Sequence, residues 1–167
     1  MEFTVQRNLL LDELNLVQGV IEKKSTIPIL SNILLEATGN ALGITATDLD
    51  VSICCGCKAE VKEPGTLTVS ARRLFDIVRL LPEDAEIRFR LLENDWVQMR
   101  AGKSEYKVVG LPRENFPSIP QPPAGEIALP GSELKSMIQR TMFAITARVV
   151  PCKARSAALS DLRVITT

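Results

Sequence analysis

Three segments of the chain share one layout: "FTVQRNLLLDELNLV" from Phe3, "LTVSARRLFDIVRLL" from Leu67 and "IALPGSELKSMIQRT" from Ile127, standing 64 and then 60 residues apart. Each opens with three alternating residues of a strand end, passes through polar residues and continues with apolar residues at helical spacing. That spacing predicts buried faces of Leu10, Leu14, Val17 and Ile21 in the first helix and Leu74, Ile77, Val78 and Leu81 in the second. In the third it predicts Leu134, Met137, Ile138 and Ile145, and Asn8, Ser70 and Ser132 are the expected caps. The first helix is followed by the strand-like runs "ILSNILLEAT", "ALGITATD" and "VSICCGCKAEV", the second by "AEIRFRLL", "DWVQMRA" and "EYKVVGL". Gly39-Asn40, Asp48 to Asp50, Glu93-Asn94 and Gly102-Lys103 mark the turns between them. A strand, a helix and three strands, used twice, point to one domain of two similar halves over residues 1–120.

The stretch "PRENFPSIPQPPAGE" then places five prolines between Pro112 and Pro123, a density that favours extended, semi-rigid backbone. It reads as an interdomain linker, centred on 121–125. A third unit opens at Glu126 and is not completed by residue 167, so the expectation is one full domain plus the start of a second, 126–167, in a fragment of a longer protein.

Chemistry is narrowed by what the chain lacks. It has no histidine, which removes Ser-His-Asp and Cys-His nucleophile pairs and every His-containing zinc set. Twenty Lys and Arg balance twenty Asp and Glu, so attraction to a polyanion must come from local segregation of charge. No apolar run approaches the roughly 18 residues a membrane helix needs, and the N-terminus lacks a signal-peptide layout, so a cytoplasmic location is expected. Cys54, Cys55 and Cys57 raise the alternative of a redox or metal site. With period two, however, Val51, Ile53, Cys55, Cys57 and Ala59 share one face of a strand, which makes the cysteines small buried hydrophobes. Asp48 and Asp50 have a spacing that metal ligands use, and are read as turn residues. Trp96 is read as a packing residue in a strand. No cofactor is expected.

The opening "FTVQRNLLLDELNLVQGVIEKKSTIPILSNILLEA", the "TATDLD" that follows, "VSARRLFDIVRLLP" and "GLPRENFP" together resemble the bacterial sliding-clamp family, the beta subunit of DNA polymerase III. The T-x-P-I-L-x-N and L-P-x-x-x-F-P signatures stand in the family's order, and the resemblance runs from residue 1 to about 147. It departs after Ala147, where "RVVPCKARSAAL" puts Pro151 in place of a strand before "LRVITT" resumes the pattern. A frameshifted or locally altered stretch and a divergent strand both explain this.

The resemblance implies an α+β DNA-clamp fold, each domain made of two βαβββ halves with helices on one face of antiparallel sheets. It further implies a homodimer, when full length, that closes around double-stranded DNA without reading sequence. Such a ring is a processivity factor without catalysis of its own, and its partners are the DNA polymerase III catalytic subunit and the clamp loader. Residue by residue, it implies DNA contacts from Lys24, Arg72 and Arg73, with Arg79 and Lys135 on similar helical faces. Taken alone, their spacing reads rather as a solvated charged face, and it is the resemblance that favours the DNA-binding reading. The strand 104 to 110 is the implied subunit edge, with Tyr106 and Val108 as apolar contacts and Lys103 and Lys107 as flanking charges.

Overall fold

A computed structural model of the chain describes residues 1–21, 27–119 and 130–142, and the backbone of 163–166. The first repeat folds as β1 (Glu2–Gln6), α1 (Arg7–Val17), β2 (Asn32–Thr38), β3 (Ala41–Thr47) and β4 (Val51–Lys58), which resumes after Ala59 as β5 (Glu60–Glu63). The second folds as β6 (Gly65–Ser70), α2 (Ala71–Leu80), β7 (Glu86–Leu91), β8 (Trp96–Ala101) and β9 (Ser104–Leu111). Helix α3 (Gly131–Thr141) and strand β10 (Arg163–Thr166) follow.

Side-chain alternation makes these strands half-buried. In β7, Ile87 and Phe89 are almost fully covered while Glu86, Arg88 and Arg90 face water. The hairpin to β8 turns through Asn94 (φ 56) and Asp95 (φ 61), residues whose short polar side chains tolerate left-handed backbone, and the Leu92 N–H donates to the Trp96 carbonyl at 2.7 Å. The strand expected from Ile29 starts late: with Pro28 at its first position, Pro28–Ser31 forms one 3-10 turn, and extended backbone starts at Asn32.

Each repeat gives its first strand to the other. β1 pairs antiparallel with β7, placing Phe3 opposite Phe89 with their rings stacked at 4.6 Å, and β6 pairs antiparallel with β2. Two seams then join the half-sheets, β6 to β9 and β1 to β5. The strand order β4-β3-β2-β6-β9-β8-β7-β1-β5 ends on a strand separated from the first only by Ala59, so the sheet returns on itself. β10 adds to the free side of β4, Val164 opposite Ile53.

The apolar faces of α1 and α2 complete the core, α1 over β1, β3 and β4 and α2 over β2 and β6, with the two helices in contact. Leu10, Leu14, Val17, Leu74, Val78 and Leu81 are buried, and Ile21 and Ile77 pack partly covered against them, as the spacing predicts. The expected caps do not form. Asn8 lies inside α1, Ser132 inside α3, and Ser70 holds the N-cap position of α2 without a side-chain bond. Arg7 supplies a different lock: its Nε donates to the Val78 carbonyl at 3.2 Å and its guanidinium to the Arg79 carbonyl at 3.1 Å. A cation is thereby placed at the negative end of α2, where the dipole favours it, and the start of α1 is tied to the end of α2.

The chain divides into two compact units, Met1–Pro120 with Leu162–Thr167, and Gln121–Asp161. The terminal strand, read from sequence as part of the second domain, pairs instead with β4. In the second unit, Leu134, Met137 and Ile138 of α3 are 44%, 58% and 49% exposed, against the burial their spacing predicts. Covering such a helix face takes a sheet, and no strand of that unit is among the described residues; Ile145 lies outside them.

Candidate nucleic-acid interface

The surface of α2 is divided sharply. Ala71, Leu74 and Val78 face the core, and Arg72, Arg73, Asp76 and Arg79 face water. Arg72 and Arg73 occupy the first turn, which holds no acidic residue, and Ser70 offers no side-chain cap. Two guanidinium groups therefore stand at the positive end of the helix dipole, the end that favours anions. The exposed side of α1 carries Asn8, Leu9, Asp12 and Asn15, so cationic charge on this helical pair is concentrated on α2. Lys135 is exposed on α3, in the second unit. Lys24 lies outside the described residues.

The second candidate surface is β9. Residues 104–109 pair with β8 on one side, and β6 reaches only Gly110 and Leu111 on the other, so among the described residues the first part of β9 keeps a free edge. β4 holds the matching position in the first repeat, and its edge is taken by β10. Side chains on β9 alternate: Tyr106 and Val108 point toward the core, Val108 only 5% exposed, while Glu105, Lys107 and Val109 point outward. Val108 is thus spent on the domain's own packing, and Tyr106, half-buried, is the member of that pair with surface left to give. Lys103 is exposed in the hairpin before the strand. Val109, 44% exposed, points outward by the same period-two pattern.

The cysteines sit as the strand pattern predicts. Cys55 and Cys57 pack against the core, and the Cys55 thiol donates weakly to the Glu13 carbonyl at 3.9 Å. Burial, with Glu13 adding to it, pushes both thiols up, Cys57 to about 12. Redox and metal-binding thiols need the opposite shift. At neutral pH, Cys55 and Cys57 should react with a thiol reagent about tenfold or more slowly in the folded chain than in denaturant. Because their folded values lie above the ordinary value of 9.0, their contribution to stability is complete below pH 9 and is lost as pH rises past it, the unfolded chain ionising first. Urea midpoints measured between pH 8.5 and 10 should fall in the native chain and fall less after Cys55→Ala with Cys57→Ala.

Asp48 is a turn residue: its Oδ1 accepts the Asp50 N–H at 3.0 Å and the Val51 N–H at 2.7 Å. Trp96 departs from its expected packing role. It opens β8 on the outward face and remains 42% exposed.

A family model described as "DNA polymerase III beta subunit, N-terminal domain" matches residues 1–120. The beta sliding clamp of Pseudomonas aeruginosa is 40% identical over 147 residues, covering 87% of this chain and 40% of that protein. Among solved structures, the C. crescentus beta sliding clamp superposes with a TM-score of 0.82 at 39% identity, over 88% of this chain and 40% of that one. The DNA polymerase III subunit beta from Pseudomonas aeruginosa gives 0.80 at 37% identity, over 95% and 41%. The chain spans about two fifths of the length of these relatives. Its duplicated strand–helix–three-strand repeat, antiparallel sheets and paired helices match those structures, and the chain belongs to the DNA polymerase III beta-subunit family.

Proposed function

We propose that this chain supplies the first domain, and the opening of the second, of a sliding clamp that encircles duplex DNA and tethers the replicative polymerase in the cytoplasm. The observation that carries the reading is the pair Arg72 and Arg73, exposed at the positive end of α2 with no acid in the same turn. That arrangement works against the helix and suits a polyanion. Mobile, water-separated contacts to phosphates, independent of sequence, are what a protein that must move along DNA requires. Arg79 extends the same face, and Lys24 and Lys135 are further proposed DNA contacts.

The free edge of β9 is the proposed site of ring closure. An unpaired strand edge is a template for another strand, and the capture of the β4 edge by β10 provides the pattern within this chain. In the assembled homodimer, Lys103, Tyr106 and Lys107 flank that junction and Val108 packs behind it. The ring holds no catalytic group. Its work is done with the DNA polymerase III catalytic subunit and the clamp loader.

The test replaces the first domain of the Pseudomonas aeruginosa clamp with residues 1–120 and loads the chimera on DNA with that organism's clamp loader. Retention on nicked circles and loss from the same DNA after linearisation are expected. Equal retention on both forms would show ordinary, non-topological binding.

A further inference from the structure

We propose that Asp12 and Asp76 form a repulsive crest on the helical pair, which keeps phosphates at water-separated distance and so keeps the ring mobile on DNA. The proposal rests on the sliding-clamp reading and adds to it the residues that limit the strength of its DNA contacts.

The two aspartates are equivalents in the repeat. Each is the tenth residue of its segment, in "FTVQRNLLLDELNLV" and in "LTVSARRLFDIVRLL", so they stand at the repeat's own offset of 64. The third segment has Ser136 at that place. Asp12 lies midway between the buried Leu10 and Leu14, and Asp76 midway between the buried Leu74 and Val78. At about 100° per residue, a position two away from each of two buried residues points directly away from the core. Both carboxylates therefore stand on the outermost line of their helices, and both are exposed. On α2 the same rotation sets Arg72 and Arg79 about 40–60° to one side of that line and Arg73 about 60° to the other. The arginines flank the crest and a carboxylate occupies it. Leu80, one turn further along the crest, is 75% exposed and offers phosphate no bond.

Among the described residues the fold makes no use of these two charges. Arg72, Arg73 and Arg79 are three or four residues from Asp76, the spacing at which ion pairs form along a helix, yet neither aspartate has an ion pair. Asp12 has no cation at those spacings, which Asn8, Leu9, Asn15 and Leu16 occupy. Each aspartate is the sixth residue of its helix, past the first turn in which the dipole favours an acid. Aspartate is also a poor helix former in an interior position. Both residues weaken the elements that carry them, so their use lies in what the crest faces.

In the ring the crest faces phosphate. Attraction from the arginines is spread over the helix face and draws the duplex in, while repulsion rises steeply as a phosphate closes on the nearer carboxylate. The balance leaves a layer of water between them. No single phosphate is held, and the ring passes from one to the next.

The test exchanges both aspartates for asparagine, which is nearly isosteric and of similar helix propensity. Binding of the 167-residue chain to a labelled duplex at low salt should tighten about fivefold or more, and the slope of log affinity against log salt should steepen by up to about 2. The melting temperature should not fall. Asp12→Glu with Asp76→Glu keeps both charges and should bind as the native chain does. In the chimeric clamp, Asp12→Asn with Asp76→Asn should slow escape from linearised DNA about threefold or more, with nicked circles retained as before. Equal retention of the native chimera on both DNA forms would overturn the clamp reading and this proposal with it. If the native chimera slides and the asparagine pair escapes at the same rate, the proposal alone fails. It fails equally if the asparagine pair leaves the affinity of the chain unchanged, if the glutamate pair tightens binding as much, or if asparagine lowers the melting temperature.

Discussion

Replacing Arg72 and Arg73 together by glutamate is expected to leave the domain at least as stable as before and to remove most of the DNA retention of an assembled ring. Both positions are exposed in the first turn of α2, so neither exchange opens a cavity or breaks a packed contact. Anions at this end of a helix are worth about 0.3–1 kcal/mol each, and the two arginines forgo that gain. The melting temperature of the 167-residue chain should therefore hold or rise by a few degrees, roughly 4 °C for each kcal/mol in a domain of this size. Loading of the chimeric clamp should move the other way. If both side chains meet phosphate, Arg72→Ala with Arg73→Ala lowers the slope of log affinity against log salt by about 2, and charge reversal costs more. A melting temperature lowered by the glutamates would mean that the arginines serve the fold. An unchanged salt slope would mean that they face solvent and nothing else.

Features of this fold that depend on local pattern were legible in the sequence. The helical spacing of Leu10, Leu14 and Val17 and of Leu74 and Val78 identifies the buried faces, because each helix has only one sheet layer to pack on. Period-two alternation places the thiols of Cys55 and Cys57 inside for the same reason. The exchange of β1 and β6 between repeats was not legible. Phe3 is buried equally well by a neighbour from its own repeat or from the other, and nothing in "FTV" distinguishes Phe89 from an earlier strand as its partner. Capping failed for a related reason. Ser70 has the right chemistry and position, yet nothing local compels its hydroxyl to turn back to the helix, while Arg7 reaches α2 from a distant part of the chain. Period-two alternation sets Tyr106 and Val108 on one side of β9, and which side that is depends on the sheet behind it. Trp96 shows the converse. Size and hydrophobicity suggest burial, and a register set by the Asn94–Asp95 turn leaves it outside.

The closed path of the sheet leads to the second large effect, expected at Gly110. β9 meets β6 through two register pairs only, Thr68 with Leu111 and Val69 with Gly110, and the Thr68 hydroxyl reinforces them by donating to the Leu111 carbonyl at 3.0 Å. A Cβ on Gly110 would lie 2.7 Å from the Thr68 carbonyl oxygen, and 3.0 Å from both the Asp95 carbonyl oxygen and the Leu67 Cδ1. Two of these three neighbours are backbone, so relief requires opening the seam or displacing the β7–β8 turn. Gly110→Ala should cost about 2–3 kcal/mol, and so lower the melting temperature by roughly 10 °C. Gly43 in β3 is the matched control, because its Cβ would meet nothing closer than 3.6 Å and its backbone lies outside the positive-φ region. Gly43→Ala should be neutral, or stabilising by a few tenths of a kcal/mol, through the lower entropy of the unfolded chain. Equal melting temperatures for the two variants would mean that β9 does not lie against β6, and the sheet would then be two separate halves with a second free edge beside the first.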